Sequence, residues 1–103
     1  MSGNDNASET TTITNVNYTC TLNDYDVLVI GAGAAVAITI PSAIRVGAGR
    51  RITVYKDAAA QVITIQSSSG LIDTLANTTL ATGAIHAKSF ISDGANWFTV
   101  TSY

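Results

Sequence analysis

Residues 26–41 read DVLVIGAGAAVAITIP. As far as Gly33 the string follows the grammar of a dinucleotide-binding enzyme: an apolar strand, then G-x-G with small residues behind it. That chemistry needs more than two glycines. It needs a third glycine for close helix packing, a helix N-terminus for the pyrophosphate, and an acidic residue about 20 positions on for a ribose hydroxyl. Val36 stands where the third glycine belongs, and AITI continues in period two until Pro41 stops it. Asp57, after the strand-like ITVYK, is a loose match to the acidic position. Without a helix no row of free N–H groups meets a phosphate. The stretch therefore predicts a strand, a tight small-residue turn and a second strand, folded as a hairpin, and no bound cofactor.

Period two governs the rest of the chain as well. DVLVI itself is a continuous apolar run, expected to be buried on both sides. Val16, Tyr18, Cys20 and Leu22 alternate with polar neighbours. Ile52 and Val54, then Ile63 and Ile65, mark inward faces, and AIHAKSFIS and WFTVTSY supply late strands. Glycine-rich or polar turns (VGAGR, SSSG, DGAN) separate these runs, and no amphipathic helix is evident. About eight short strands with turns every 8–12 residues predict an all-β fold, a small antiparallel β-sandwich or jelly-roll-like domain. The polar segment 1–14 is expected to be an extended N-terminal arm, with one β-domain over 15–103.

Composition narrows the function classes. The 103 residues suffice for one modest core. Charged residues make up 12% of the chain, against about a quarter in a typical soluble domain. This deficit predicts that part of the surface is covered in use by further copies of the chain. The net charge of -2 and the single small basic cluster, Arg45, Arg50 and Arg51, argue against a nucleic-acid partner. There is no signal-peptide pattern and no apolar run long enough for a membrane span, so synthesis in the cytoplasm is expected. One cysteine, Cys20, makes neither an internal disulfide nor a cysteine-rich metal site. His86 is the sole histidine and lacks a marked nucleophile partner, and the aspartates lie at turns without calcium-loop spacing. No enzyme activity and no metal are expected. In the last strand Trp97 and Phe98 must point to opposite faces, so one enters the core and the other meets solvent, a subunit or a ligand.

The order of motifs resembles the small β-domains of tailed-bacteriophage virion proteins: tail fibres, tailspikes, head fibres and capsid decoration proteins. The matching segments are YTCTL (18–22), DYDVLVI (24–30), TIPSA (39–43), GRRITVYKD (49–57), VITI (62–65), LID (71–73) and SDGANW (92–97), together spanning about residues 16–102. The Gly/Ala-rich stretch 31–35 departs from the pattern, where relatives carry more polar residues. The resemblance implies a homotrimer. Fibres and spikes are long chains, so a length of 103 residues favours a capsid decoration (cement) protein on the virion exterior, bound to the major capsid protein. In that role the arm is expected to contact the capsid through Ser2, Asn4, Asp5, Asn6, Glu9, Thr11 and Ile13. Subunit or ligand contact is expected at Tyr55, Asp93, Asn96, Trp97, Phe98 and Tyr103. The alternative is a tail-fibre or head-fibre module that binds a host-surface glycan through the latter group.

Overall fold

Residues 9–103 are described by the computed structural model. In chain order the elements are β1 (Thr10–Thr14), β2 (Tyr18–Thr19), β3 (Asp24–Val29), β4 (Val36–Ile40), a single helical turn α1 (Ala43–Val46), β5 (Ala48–Lys56), β6 (Ile63–Ser67), β7 (Asn77–Leu80), β8 (His86–Asp93) and β9 (Trp97–Ser102). The all-β expectation holds. Thr10–Thr14, expected in the polar arm, instead form a strand of the folded body: their β-branched side chains suit a ladder, and β3 offers them one.

The strands form two sheets, one in the order β9-β8-β5-β3-β1 and the other β2-β4-β6-β7. From β1 to β6 the chain changes sheet at every strand. Neighbours within each sheet are therefore two strands apart in sequence and run parallel: β1 with β3, β3 with β5, β2 with β4 and β4 with β6. Only the later pairs, β5 with β8, β8 with β9 and β6 with β7, are antiparallel. This corrects the expectation of antiparallel pairing throughout. Side-chain alternation reports which face is buried and is the same for either pairing direction. The path of the connecting loop decides the direction.

Residues 30–35 show this directly. They do not close a hairpin, but carry the chain from β3 in one sheet to β4 in the other. Gly31 makes the departure at φ +68°, a region open to glycine. The small residues after it let the crossing lie close against the one between β5 and β6, where Gln61 N–H donates to Ala32 O at 3.3 Å and Val36 N–H to Val62 O at 3.1 Å.

The two sheets share one core. Val27, Val29, Ile52, Val54 and Phe90 from the five-stranded sheet meet Ile38, Ile40, Ile63 and Ile65 from the other, all essentially solvent-free. Trp97 completes the core and donates its indole N–H to Pro41 O at 2.9 Å, tying β9 to the end of β4. Pro41 ends β4, as expected. Ser42 then caps α1 by accepting Arg45 N–H at 3.3 Å, and Gly47 ends the turn at φ +84°.

Candidate functional site

The groups that first suggest chemistry are committed to holding the fold. Asp57, the loose match to a ribose-binding carboxylate, accepts the N–H of Gly31 at 3.1 Å and that of Ala60 at 2.9 Å. It bridges the β3–β4 and β5–β6 crossings rather than facing a ligand. A shallow groove of about 350 Å³ beside the glycine stretch is lined by Asn15, Val16, Asn17 and Ala34–Val36, with no charged side chain to meet a phosphate.

Asp24 forms the densest polar cluster. Its carboxylate accepts from Thr12 Oγ1 (2.6 Å), Tyr18 Oη (2.6 Å), the Thr21 N–H (2.7 Å) and Thr21 Oγ1 (3.3 Å), so that one buried side chain joins β1, β2 and β3. Arg50, also buried, donates to the carbonyls of Leu22 (2.9 Å) and Asp24 and lies 3.6 Å above the Tyr25 ring. Burial pushes the Asp24 carboxyl up, but the hydrogen bonds from Thr12, Tyr18 and Thr21 outweigh it and hold the group below its ordinary value. The Tyr18 hydroxyl is raised, chiefly because its hydrogen bond to Asp24 favours the protonated form. Burial, aided by the Asp24 charge, pushes the Cys20 thiol up to about 12, which makes it a poor nucleophile at neutral pH.

His86, Lys56, Asp93 and Asn96 are equally engaged, while Asp26 is exposed. His86 Nδ1 lies 3.0 Å from Tyr103 O. Lys56, fully buried, donates to the carbonyls of Asp57 and Ala84. Asp93 accepts from the N–H groups of Ala95 and Asn96, both at 2.9 Å, and these bonds hold its carboxyl below its ordinary value. Asn96 Oδ1 accepts from Leu71 N–H at 2.8 Å. Asp93 and Asn96 thus build the β8–β9 turn. Among the described residues no three of His, Cys, Asp or Glu are grouped to hold a metal ion, and no helix is long and apolar enough to cross a membrane.

The aromatic pair divides as the alternation requires. Trp97 is the inward one, with 0% exposure, so it is withdrawn from the expected contact group: its large ring fills the core and its N–H is taken. Phe98 points outward. Strand register places it with the other outward aromatics on one surface, the outer face of the five-stranded sheet. Ile13, Leu28, Tyr55 and Ala87 occupy matching positions on β1, β3, β5 and β8, and Tyr103 is paired with Ala87 through two backbone bonds of 2.9 and 3.0 Å. They form one apolar row across the whole sheet. The next row is Thr11, Asp26, Thr53, Ser89 and Thr101, and beyond it lie Arg51, Ile91 and Phe98.

Three of the expected contact residues, Tyr55, Phe98 and Tyr103, thus share a face, and Thr11 and Ile13 from the expected arm belong to it too. Glu9 is exposed just before β1, while Ser2, Asn4, Asp5 and Asn6 lie outside the described residues. Leu28 was hidden by the expectation that DVLVI is covered on both sides. Val27 and Val29 are fully buried, yet Leu28 is only half-buried and Ile30 is 40% exposed. A continuous apolar run reads as two-sided burial because parallel strands are usually covered on both faces. Here no element among the described residues covers the outer one. The signal available in sequence was the outward alternation of Leu28 and Tyr55 in adjacent strands.

No known family model matches the chain, and no curated protein is significantly similar to it.

Proposed function

We propose that the protein is a structural component of a tailed-phage virion, a capsid decoration protein that sits on the outside of the shell as a trimer and stabilises it. The observation that supports this reading best is the apolar row from Ile13 to Tyr103, which no described element covers, on a fold whose Asp24, Asp57, Asp93, Cys20 and His86 are taken up by structural bonds or burial. Such a molecule acts by contact. The motif order from YTCTL to SDGANW adds to the reading through its resemblance to virion β-domains. Attachment stabilises a shell because the contacts exist only in the assembled state, and three copies of a weak contact add avidity. Residues 2–9, ahead of β1, are the proposed capsid-reaching segment.

The test is co-sedimentation of the purified protein with phage capsids that lack it. Binding, with a raised temperature of capsid disruption, is the expected result. Absence of binding, together with reproducible signal on a glycan array, would overturn decoration in favour of a fibre module. The burial of Trp97 and the internal bonding of Asp93 and Asn96 weigh against that sugar-binding alternative.

A further inference from the structure

We infer that copies of this chain meet one another through the outer face of the five-stranded sheet, with the row Ile13, Leu28, Tyr55, Ala87 and Tyr103 at the contact. The inference rests on the reading of the protein as a self-assembling one and names the surface responsible.

The two outer faces differ sharply. On the four-stranded sheet the outward rows are Thr19, Thr39, Gln66 and Asn77, then Ala37, Thr64 and Thr79, a polar surface without a large apolar side chain. On the five-stranded sheet Ile13 and Tyr103 are 69% and 70% exposed, and Phe98 adds an aromatic ring. Leaving such a band in water forgoes burial worth about 25 cal/mol per Å².

Charge indicates that the occupant is a second copy. The charged residues in these rows are Asp26 and Arg51, one of each sign. Asp26 pairs with Thr53, two residues beyond Arg51 on the neighbouring strand, so the two charges are diagonal neighbours. A face with one anion and one cation side by side is complementary to itself: each Asp26 can meet a neighbour's Arg51 in a closed ring. A strongly charged partner would find no matching field here.

Size and edges agree. Five strands about 4.8 Å apart and about five residues long give a face of roughly 400 Å² in projection. That is about half of the roughly 800 Å² per partner of a standard interface, to which the side chains standing out from the sheet, Ile13 and Tyr103 foremost, add. Growth by strand addition beyond β9 is blocked. Ile72 bridges to Trp97 along that edge, and the Asp73 carboxylate accepts the Thr99 N–H at 2.8 Å. On that side the face, not the strand edge, is left for association.

The test measures the mass of the full chain in solution by light scattering, beside the variants Tyr55→Glu and Leu28→Asp and the opposite-face control Thr64→Glu. The expected result is a threefold mass for the wild type and the control, falling to a single copy for the two row variants, with Trp97 emission unchanged as a sign of an intact core. Should the row variants unfold, Thr53→Cys offers a second measurement. Mild oxidation is expected to cross-link copies through this position, and its failure to do so would overturn the proposal. A single-copy mass for the wild type would overturn self-assembly itself. Loss of assembly in Thr64→Glu alone would overturn this choice of face and leave self-assembly standing.

Discussion

The carboxylate of Asp57 accepts the backbone N–H of Gly31, a residue 26 positions earlier, at 3.1 and 3.2 Å from its two oxygens. The bond holds the glycine crossing between β3 and β4 against the crossing between β5 and β6. A residue that resembles a cofactor ligand in sequence is here a staple between stacked loops.

Replacing Asp57 by Ala removes the bonds to Gly31 and Ala60. At about 1 kcal/mol per hydrogen bond in a partly exposed setting, the expected loss is ~1–2 kcal/mol, measured as a lower urea midpoint. Added flavin or nicotinamide is expected to leave the midpoint of either protein unchanged. A ligand-dependent shift in the wild type that disappears in Asp57→Ala would reverse this assignment.

Asp24 gives the protein an acid limb. Its folded-state value is depressed, so its contribution is fully present above the unfolded carboxylate value, about 3.9, and is lost as pH falls through the folded value. Wild-type stability is expected to decline below about pH 4. Asp24→Asn should be less stable at pH 7 by roughly 2 kcal/mol, since charged hydrogen bonds give way to neutral ones. It should also show a flatter acid limb. Asp93, depressed as well, remains in both proteins, so the difference between the two pH curves isolates Asp24.

Two glycines with positive φ separate conformational strain from collision. At Gly31, φ +68°, an added Cβ meets nothing within 4 Å; at Gly70, φ +86°, it would collide with the Ala95 carbonyl oxygen. Gly31→Ala should cost about 1 kcal/mol, the left-handed penalty alone. Gly70→Ala should cost clearly more, on the order of 3 kcal/mol, because backbone must shift. Equal losses in thermal denaturation would contradict the packing of the 67–70 turn against the β8–β9 turn.

Ile72 and Leu75 exchange both backbone bonds at 2.8 Å around Asp73 (φ +51°) and Thr74 (φ +68°). A two-residue turn with positive φ at both positions favours Asn-Gly or Asp-Gly, and a β-branched Thr74 is strained there. Thr74→Gly is expected to stabilise the protein by about 0.5–1 kcal/mol, the relief of strain exceeding the entropy glycine adds to the unfolded chain. A lower melting temperature would show that Thr74 makes a compensating contact.

Much of this fold was legible in the amino-acid order. Val27 with Val29, Val36 with Ile38 and Ile40, Ile52 with Val54, and Ile63 with Ile65 alternate as inward residues must, and each pair is buried. Pro41, Gly70 and the DGAN turn mark real breaks in the chain. Alternation is a property of two adjacent peptide units, so the sequence by itself determined these strands, their inward residues and these breaks. The tertiary structure alone decided what those strands meet. The crossing at 30–35 made the early pairs parallel, and Trp97 rather than Phe98 went inward because the space beneath Pro41 accepts an indole and its N–H. Leu28, Tyr55 and Tyr103, distant in sequence, became one surface because register across five strands aligned them. Partner, direction and register depend on contacts between remote segments, and no local pattern encodes those.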